Sequence, residues 1–324
     1  MLNLLKRHTP WLALTGLLSL STLVDAAETA PDALRIGYQK GSVSMVLAKS
    51  HQLLEKRYPQ TKISWVEFPA GPQMLEALNI GSIDLGSTGD IPPIFAQAAG
   101  ADLVYVGVEP PKPHAEVILV PKDSSIHTVA ELKGHKVALQ KGSSAHNLLL
   151  RALQQAGLKF TDIQATWLTP ADARAAFQQG NVDAWAIWDP YYSAALLQGD
   201  VRVLKDGTDL KQTGSFYLAA RPYAEKNSAF IPGVLDTFSQ ADALTLSQRQ
   251  QSITLLAKTM GLPEPVIASY LDHRPPTSIT PVSASVAALQ QQTADLFYDN
   301  RLVPKKIDIR QRIWQPTQQT GAKL

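Results

Sequence analysis

The chain is expected to fold as two α/β lobes facing each other across a cleft, followed by a helical C-terminal part. Three observations carry that expectation. Arg35-Ile36-Gly37-Tyr38-Gln39-Lys40-Gly41-Ser42 is answered by Lys136-Val137-Ala138-Leu139-Gln140-Lys141-Gly142-Ser143, each a short apolar run ending in Gln-Lys-Gly-Ser before a helix-like stretch. A second pair, Gly81-Ser82-Ile83-Asp84 and Gly180-Asn181-Val182-Asp183, follows in the same order, and Asp90 and Asp189 keep the same separation. A period of roughly a hundred residues is too long for a solenoid and fits a pair of related units. Strands also alternate with helices in both halves, the pattern of parallel βαβ sheets.

The first unit opens with a strand over 34–38, a turn at Gly41-Ser42 and a helix from Ser44 to Arg57 that Pro59 stops. A strand over 62–68 is followed by Pro72 at the start of a helix over 73–79, ending before Gly81. Ile83 to Gly86 reads as a short buried strand feeding Ser87-Thr88-Gly89-Asp90, and Pro92-Pro93 can open the next helix because proline is tolerated in a first turn. A strand over 103–108 precedes the loop Glu109-Pro110-Pro111-Lys112-Pro113, and a strand over 116–120 carries the chain into the second unit. There the series recurs: strand 136–139, helix 144–155 ending at Gly157, strand 166–168, helix 170–177 and strand 184–187. A strand over 215–220 returns to the first unit. Beyond it, 232–242, 247–259, 263–271 and 282–300 read as helices, the last with Val286, Leu289, Thr293 and Leu296 on one face. The expected lobes are thus discontinuous: 27–118 plus 220–324, and 119–219, with crossings near Val120 and Ser215.

Residues 1–26 are set aside from the fold. Lys6, Arg7 and His8 make a basic start, Trp11 to Val24 is apolar but short for a bilayer, and Val24-Asp25-Ala26 fits a small-residue cleavage site. This reads as a secretory signal peptide, with Ala27 as the first mature residue. The net charge of +2 leaves no electrostatic footprint for nucleic acid or an anionic membrane surface. With no cysteine in an exported chain, disulfides, thiolate nucleophiles and thiolate metal sites are all excluded.

The chemistry follows from the repeat. A strand that ends at Gly-Ser and turns into a helix presents backbone N–H groups and the positive end of the helix dipole, both favourable to an anion. Gly41-Ser42, Ser87-Thr88-Gly89 and Gly142-Ser143-Ser144 are three such openings, all at the carboxyl ends of strands, where open α/β sheets bind ligands. Each alone also reads as a helix cap. Gly71-Pro72 offers another close backbone approach or a plain helix start. Lys40 and Lys141 read as a charge clamp or as solvated rim lysines. Within Trp185-Ala186-Ile187-Trp188-Asp189-Pro190-Tyr191-Tyr192, Trp185 reads as core, whereas Trp188 at the strand end reads equally as core or as an apolar cleft wall. Phe216 and Tyr217 pose the same choice. His146, in the first turn of the second Gln-Lys-Gly-Ser helix, is a candidate cleft donor, and the remaining histidines show no metal spacing. No nucleophile elbow, P-loop or dinucleotide fingerprint is present.

Leu34-Arg35-Ile36-Gly37-Tyr38-Gln39-Lys40-Gly41, Ser87-Thr88-Gly89-Asp90-Ile91-Pro92-Pro93 and Trp188-Asp189-Pro190-Tyr191-Tyr192 closely resemble the periplasmic aliphatic-sulfonate-binding proteins of bacterial ABC importers. The resemblance runs through essentially the whole chain after residue 26. It implies a bilobal clamshell of the periplasmic-binding-protein type, monomeric and without a cofactor. Such a receptor is no enzyme: it captures alkanesulfonates in the periplasm and delivers them to a membrane permease driven by a cytoplasmic ATPase. Carried over by motif, the sulfonate oxygens fall near Gln39, Gly41, Ser87, Thr88, Gly89 and the Gly142-Ser143-Ser144 turn, and the organic tail near Trp188 and Asp189. Ser42, Gly71, Asp90, His146 and Phe216 complete the expected site. The related taurine branch must also satisfy an ammonium, for which Asp90 or Asp189 is available. Competing expectations are a receptor for taurine, nitrate or another oxyanion, or an enzyme on the same scaffold.

Overall fold

The computed structural model describes residues 30–275 and 277–315, so the expected signal peptide lies outside the described residues. The first half runs β1 (Ala33–Tyr38), α1 (Val43–Ser50), α2 (Leu53–Arg57), β2 (Lys62–Glu67), α3 (Gly71–Asn79), β3 (Leu85–Thr88), α4 (Ile91–Ala98) and β4 (Leu103–Val108). After β5 (Glu116–Pro121) come β6 (Lys136–Leu139), α5 (Ser144–Gln155), β7 (Gln164–Trp167) and α6 (Pro170–Gln178). β8 (Ala184–Trp188), α7 (Tyr191–Gln198) and β9 (Val201–Asp206) close that half, and β10 (Phe216–Ala220) follows. The helices α8 (Arg221–Lys226), α9 (Phe230–Ser247), α10 (Arg249–Met260), α11 (Glu264–Asp272) and α12 (Ala284–Asp299) come next.

The described residues form two five-stranded sheets, ordered β2-β1-β3-β10-β4 and β7-β6-β8-β5-β9. They match position for position, which makes the sequence repeat a repeat of topology. The second repeated motif has a concrete job in each copy. Asp84 Oδ2 accepts the Arg35 backbone N–H at 2.8 Å, and Asp183 Oδ2 accepts that of Lys136 at 2.8 Å. Each carboxylate thereby ties the approach to β3 or β8 onto the start of β1 or β6. Gly81 and Gly180 end α3 and α6 with φ of +74° and +71°, where only glycine sits without strain.

The sheets are mixed rather than all parallel. β1, β2 and β3 pair in parallel, as do β6, β7 and β8, but β10 is antiparallel to both its neighbours and so is β5. The reason is the crossing itself. β4 ends at the cleft, the chain passes over as a loop, and β5 must start at the cleft and run away from it. β9 and β10 repeat this on the return.

Several boundaries differ from expectation. β5 pairs with the second sheet from Glu116 onward, and β10 with the first from Phe216. The crossings are therefore residues 109–115 and 207–215, and limits at 118/119 and 219/220 cut through strands. The single helix expected over 44–57 is broken where Gln52 takes φ of 53°. β3 lies later than expected, so Ser87 and Thr88 are strand residues. α7, β9 and α8 were not anticipated: the aromatic run before α7 and the edge position of β9 mask the periodicities that announce such elements.

Both faces of each sheet are covered, which is why the strands read as continuous apolar runs. In β5, Val117 and Leu119 pack on one face and Ile118 and Val120 on the other; in β8, Trp185 and Ile187 oppose Ala184 and Ala186. The first sheet packs α1, α9 and α10 on one face, through Leu34, Ile36, Met45 and Phe238. Its other face packs α3, α4 and α12, through Met74, Ile91 and Phe297.

Candidate functional site

A cleft of about 650 Å³, its mouth included, opens between the two sheets at the carboxyl ends of β1, β3, β6 and β8. Eleven of the fifteen expected residues line it: Gln39, Gly41, Ser42, Gly71, Ser87, Thr88, Gly89, Ser143, Ser144, Trp188 and Asp189. The starts of α1, α3, α4 and α5 converge there, each with first-turn N–H groups that have no partner inside the helix. Ser42 and Ser143 are not ordinary caps: neither side chain accepts a capping bond from its helix, and the Ser143 hydroxyl donates instead to the Gln140 carbonyl at 2.7 Å. Thr88 Oγ1 is buried without a partner. The Gln39 amide donates to the Ser87 carbonyl at 3.1 Å, joining the first two openings.

Glycine is required by proximity at two of these positions. A Cβ on Gly71 would lie 1.9 Å from Thr88 Oγ1 and 2.6 Å from Pro92 Cγ, so α3 and β3 approach only because it is absent. A Cβ on Gly89 would lie 2.8 Å from Ser144 Cβ, which belongs to the opposite half.

Polar clusters flank the cleft on two sides and join the halves. On one, Asn147 Nδ2 of α5 donates to Asp90 Oδ2 at 2.5 Å, and the Arg151 guanidinium reaches Thr293 of α12 at 2.8 Å. On the other, Asp189 Oδ2 is 2.8 Å from His273 Nδ1 while its Oδ1 accepts the Ser193 N–H at 2.9 Å. The repeated aspartates thus do equivalent work, each bonding its own half to the other. Tyr270 adds a bond to the Gly41 carbonyl at 2.5 Å.

Four expected residues lie elsewhere. Asp90 bounds a smaller adjoining cavity. Gly142, with φ of +71°, turns the opposite way and packs beside Phe95. Phe216 is fully buried edge-on to Tyr105, because strand alternation directs it into the core. His146 is also fully buried, since the face of α5 it occupies is turned from the cleft toward Phe95, Phe160, Trp167 and Phe297. Burial and the nearby Lys141 lower it to about 3, so it is a neutral core histidine.

The two lysines of the repeat form no clamp. Lys40 bonds the Met260 carbonyl and Lys141 lies over the Trp167 ring. The cation in the wall is Lys112, on the crossing loop, and it is paired with Glu109. Burial works to raise Glu109, but Lys112, Arg274 and the Tyr217 hydroxyl together hold it below its usual range. Glu116, Ser215 and Tyr270 also line the cleft and were not anticipated. The charged flanks of the proline-rich crossing were a usable signal for Lys112 and Glu116; nothing local pointed to Tyr270. Among the described residues no group of three or more His, Cys, Asp or Glu is placed to hold a metal, and no helix is long and apolar enough to cross a membrane.

Two matched α/β units closing helix N-termini around one cleft define a bilobal solute-binding protein. Comparison with known proteins gives the family. The NMT1/THI5-like family matches residues 65–227. A relative from Escherichia coli K12, named for aliphatic sulfonates binding, is 86% identical over 313 residues, covering 97% of this chain and 98% of the relative. The crystal structure of the periplasmic aliphatic sulphonate binding protein SsuA from Escherichia coli superposes with a TM-score of 0.83 at 88% identity, covering 88% of this chain and 98% of that one. The alkanesulfonate-binding protein SsuA from Xanthomonas axonopodis pv. citri, bound to MOPS, gives 0.86 at 58% identity with the same coverages. The chain belongs to the aliphatic-sulfonate-binding family of periplasmic binding proteins.

Proposed function

We propose that this protein is a periplasmic receptor that closes on an aliphatic sulfonate and presents it to the permease of an ABC importer for sulfur acquisition. One observation carries the reading: three glycine- and serine-rich helix openings from both halves meet in one cleft, and Lys112, the one cation that lines it among the described residues, is already paired. Neutral donors at converging helix N-termini suit a headgroup with three equivalent oxygens. Partly buried Trp188 supplies an apolar surface for the organic arm. Gln39, Gly41, Ser42, Ser87, Thr88, Gly89, Ser143 and Ser144 hold the headgroup, and Trp188 and Asp189 shape the tail end. The ligand bridges the halves and shifts their equilibrium toward the closed form, which the permease reads as a monomer with both lobes in place.

Titration with ethanesulfonate, longer alkanesulfonates, nitrate and sulfate, followed by Trp fluorescence and paired with a sulfite assay, tests this. Saturable binding of the sulfonates without sulfite release is the expected result. Preference for nitrate or sulfate overturns the ligand, and sulfite release overturns the receptor. Ser143→Phe is expected to lower sulfonate affinity about tenfold or more, since overpacking a filled site costs about 1–3 kcal/mol. Its melting temperature should stay close to wild type. Unchanged affinity for several alkanesulfonates would remove the second Gly-Ser turn from the site.

A further inference from the structure

The second Gly-Ser turn is braced from behind by a side chain. His146 Nδ1 accepts the Gly142 backbone N–H at 3.3 Å, and the His146 backbone N–H donates to the Ser143 carbonyl at 3.0 Å. Together these bonds fix the turn that presents Ser143 and Ser144 to the cleft. Four places after Gly41, the corresponding residue of the first copy is Met45, so that copy has no imidazole to do this.

His146 also lies where the two halves meet. Phe160 and Trp167 of its own half stand 4.9 and 5.2 Å from it, ring centre to ring centre. Phe95 of α4 and Phe297 of α12, at 6.2 and 5.0 Å, come from the other half. One turn further along α5, Leu150 packs into the same apolar cluster as Phe297. With the halves together the imidazole is fully buried. Because Nδ1 accepts, the neutral ring carries its proton on Nε2, which has no hydrogen-bond partner.

No carboxylate on the packed elements compensates a charge there. Asp90 before α4 bonds Asn147, Asp162 beside Phe160 bonds the Lys159 N–H, and Asp295 of α12 bonds Gln291, while Asp299 is exposed. Lys159 is exposed, and Arg151 is bonded to Asn147 and Thr293. Lys141, over the Trp167 ring, opposes a positive charge on His146. A second proton would set a donor against the Gly142 N–H and a charge among four rings. Parting of the halves takes Phe95 and Phe297 away and lets water reach the ring.

We propose that His146 is a positioning residue that makes sulfonate capture depend on pH: neutral, it braces the second Gly-Ser turn and admits the closed form, and protonated, it disrupts both. This rests on the reading of the cleft as a sulfonate site. The closed protein holds His146 at about 3 against an ordinary 6.5, so closing expels a proton. Binding is then full above pH 6.5 and weakens by up to about tenfold per unit as pH falls toward 3.

Calorimetric titration with ethanesulfonate, whose headgroup stays ionised throughout, tests this. Wild type is expected to bind about tenfold or more weakly at about pH 5 than at about pH 7.5. His146→Leu fills the space without an acceptor and should bind more weakly than wild type at the higher pH, with no further fall at the lower. His146→Asn, whose Oδ1 can take the Gly142 N–H, should recover most of that loss and show the same flat profile. A residue that only filled space would give neither the recovery nor the change of profile, and poor folding of one variant leaves the other informative. Equal wild-type affinity at both pH values overturns the proposal while the sulfonate reading stands. So does a fall that persists in both variants, which would place the titrating group elsewhere. Absence of binding by wild type at the higher pH overturns the sulfonate reading and this proposal with it.

Discussion

Gly89→Ala lowers ligand affinity by about ten- to a hundredfold while leaving the unliganded protein folded with a nearly unchanged melting temperature. Gly89 directly follows β3 in one half, and an added Cβ would stand 2.8 Å from Ser144 Cβ and 3.1 Å from its Oγ, both in the other half. The methyl group has space once the lobes part and none when they meet. Its cost therefore falls on closure, the step that traps the ligand. The double variant Gly89→Ala/Ser144→Gly is the internal check, because it leaves Ser144 Cα, at 3.7 Å, as the nearest remaining atom of that residue. Relative to Ser144→Gly alone, the added methyl should then cost little, and the coupling between the two changes measures the closed contact. Wild-type affinity in Gly89→Ala would show that the halves do not touch here around a ligand.

The second large effect is on stability as a function of pH. His146 titrates at about 3 in the folded protein against an ordinary 6.5. The unfolded chain therefore takes up a proton first. Stability from this group is full above pH 6.5 and is lost by about 1.4 kcal/mol per unit as pH falls toward 3. Asp90 works in the opposite direction, at about 8 against an ordinary 3.8. Here the folded protein holds the proton, so stability is full below pH 3.8 and is lost at the same rate as pH rises toward 8. Between about pH 4 and 6.5 the two slopes cancel, which hides both in the wild type. Denaturant unfolding across pH should unmask them. Wild type minus His146→Leu should rise with pH up to 6.5 and then level, and wild type minus Asp90→Asn should fall from about pH 4 to 8. A flat difference curve for either variant would sink the assignment for that residue.

The repeat was legible because it is local. Gln-Lys-Gly-Ser, Gly-x-x-Asp and the later aspartate each recur at nearly constant separation, and each marks the same place in its sheet. Short spacing rules also placed β6 and α5 at their observed limits. What was not legible has a common origin in long-range packing. His146 looked like a cleft residue because it follows the Gly-Ser turn, yet the face of α5 it occupies is covered by Phe297, far along the chain. Phe216 sits on the strand where a cleft wall was expected, but alternation sends it into the core. Tyr270 enters the cleft from α11, and no local pattern says which helix will lie beside which strand.

The sequence by itself determined that there are two related units, that each ends a strand at a glycine and serine before a helix, and that the chain carries no cysteine chemistry. These follow from local periodicity, turn-forming residues and composition, which need no knowledge of neighbours. Only the tertiary structure decided that the crossing strands run antiparallel, because a strand that enters from the other lobe must begin at the cleft. It alone decided that Asp189 is fully bonded while Asp90 keeps a buried, unpaired oxygen. The two aspartates are equivalent in sequence. Their partners come from α11 in one case and from α5 across the cleft in the other, and the hydrogen bonds available at a point in space are fixed by what packs there.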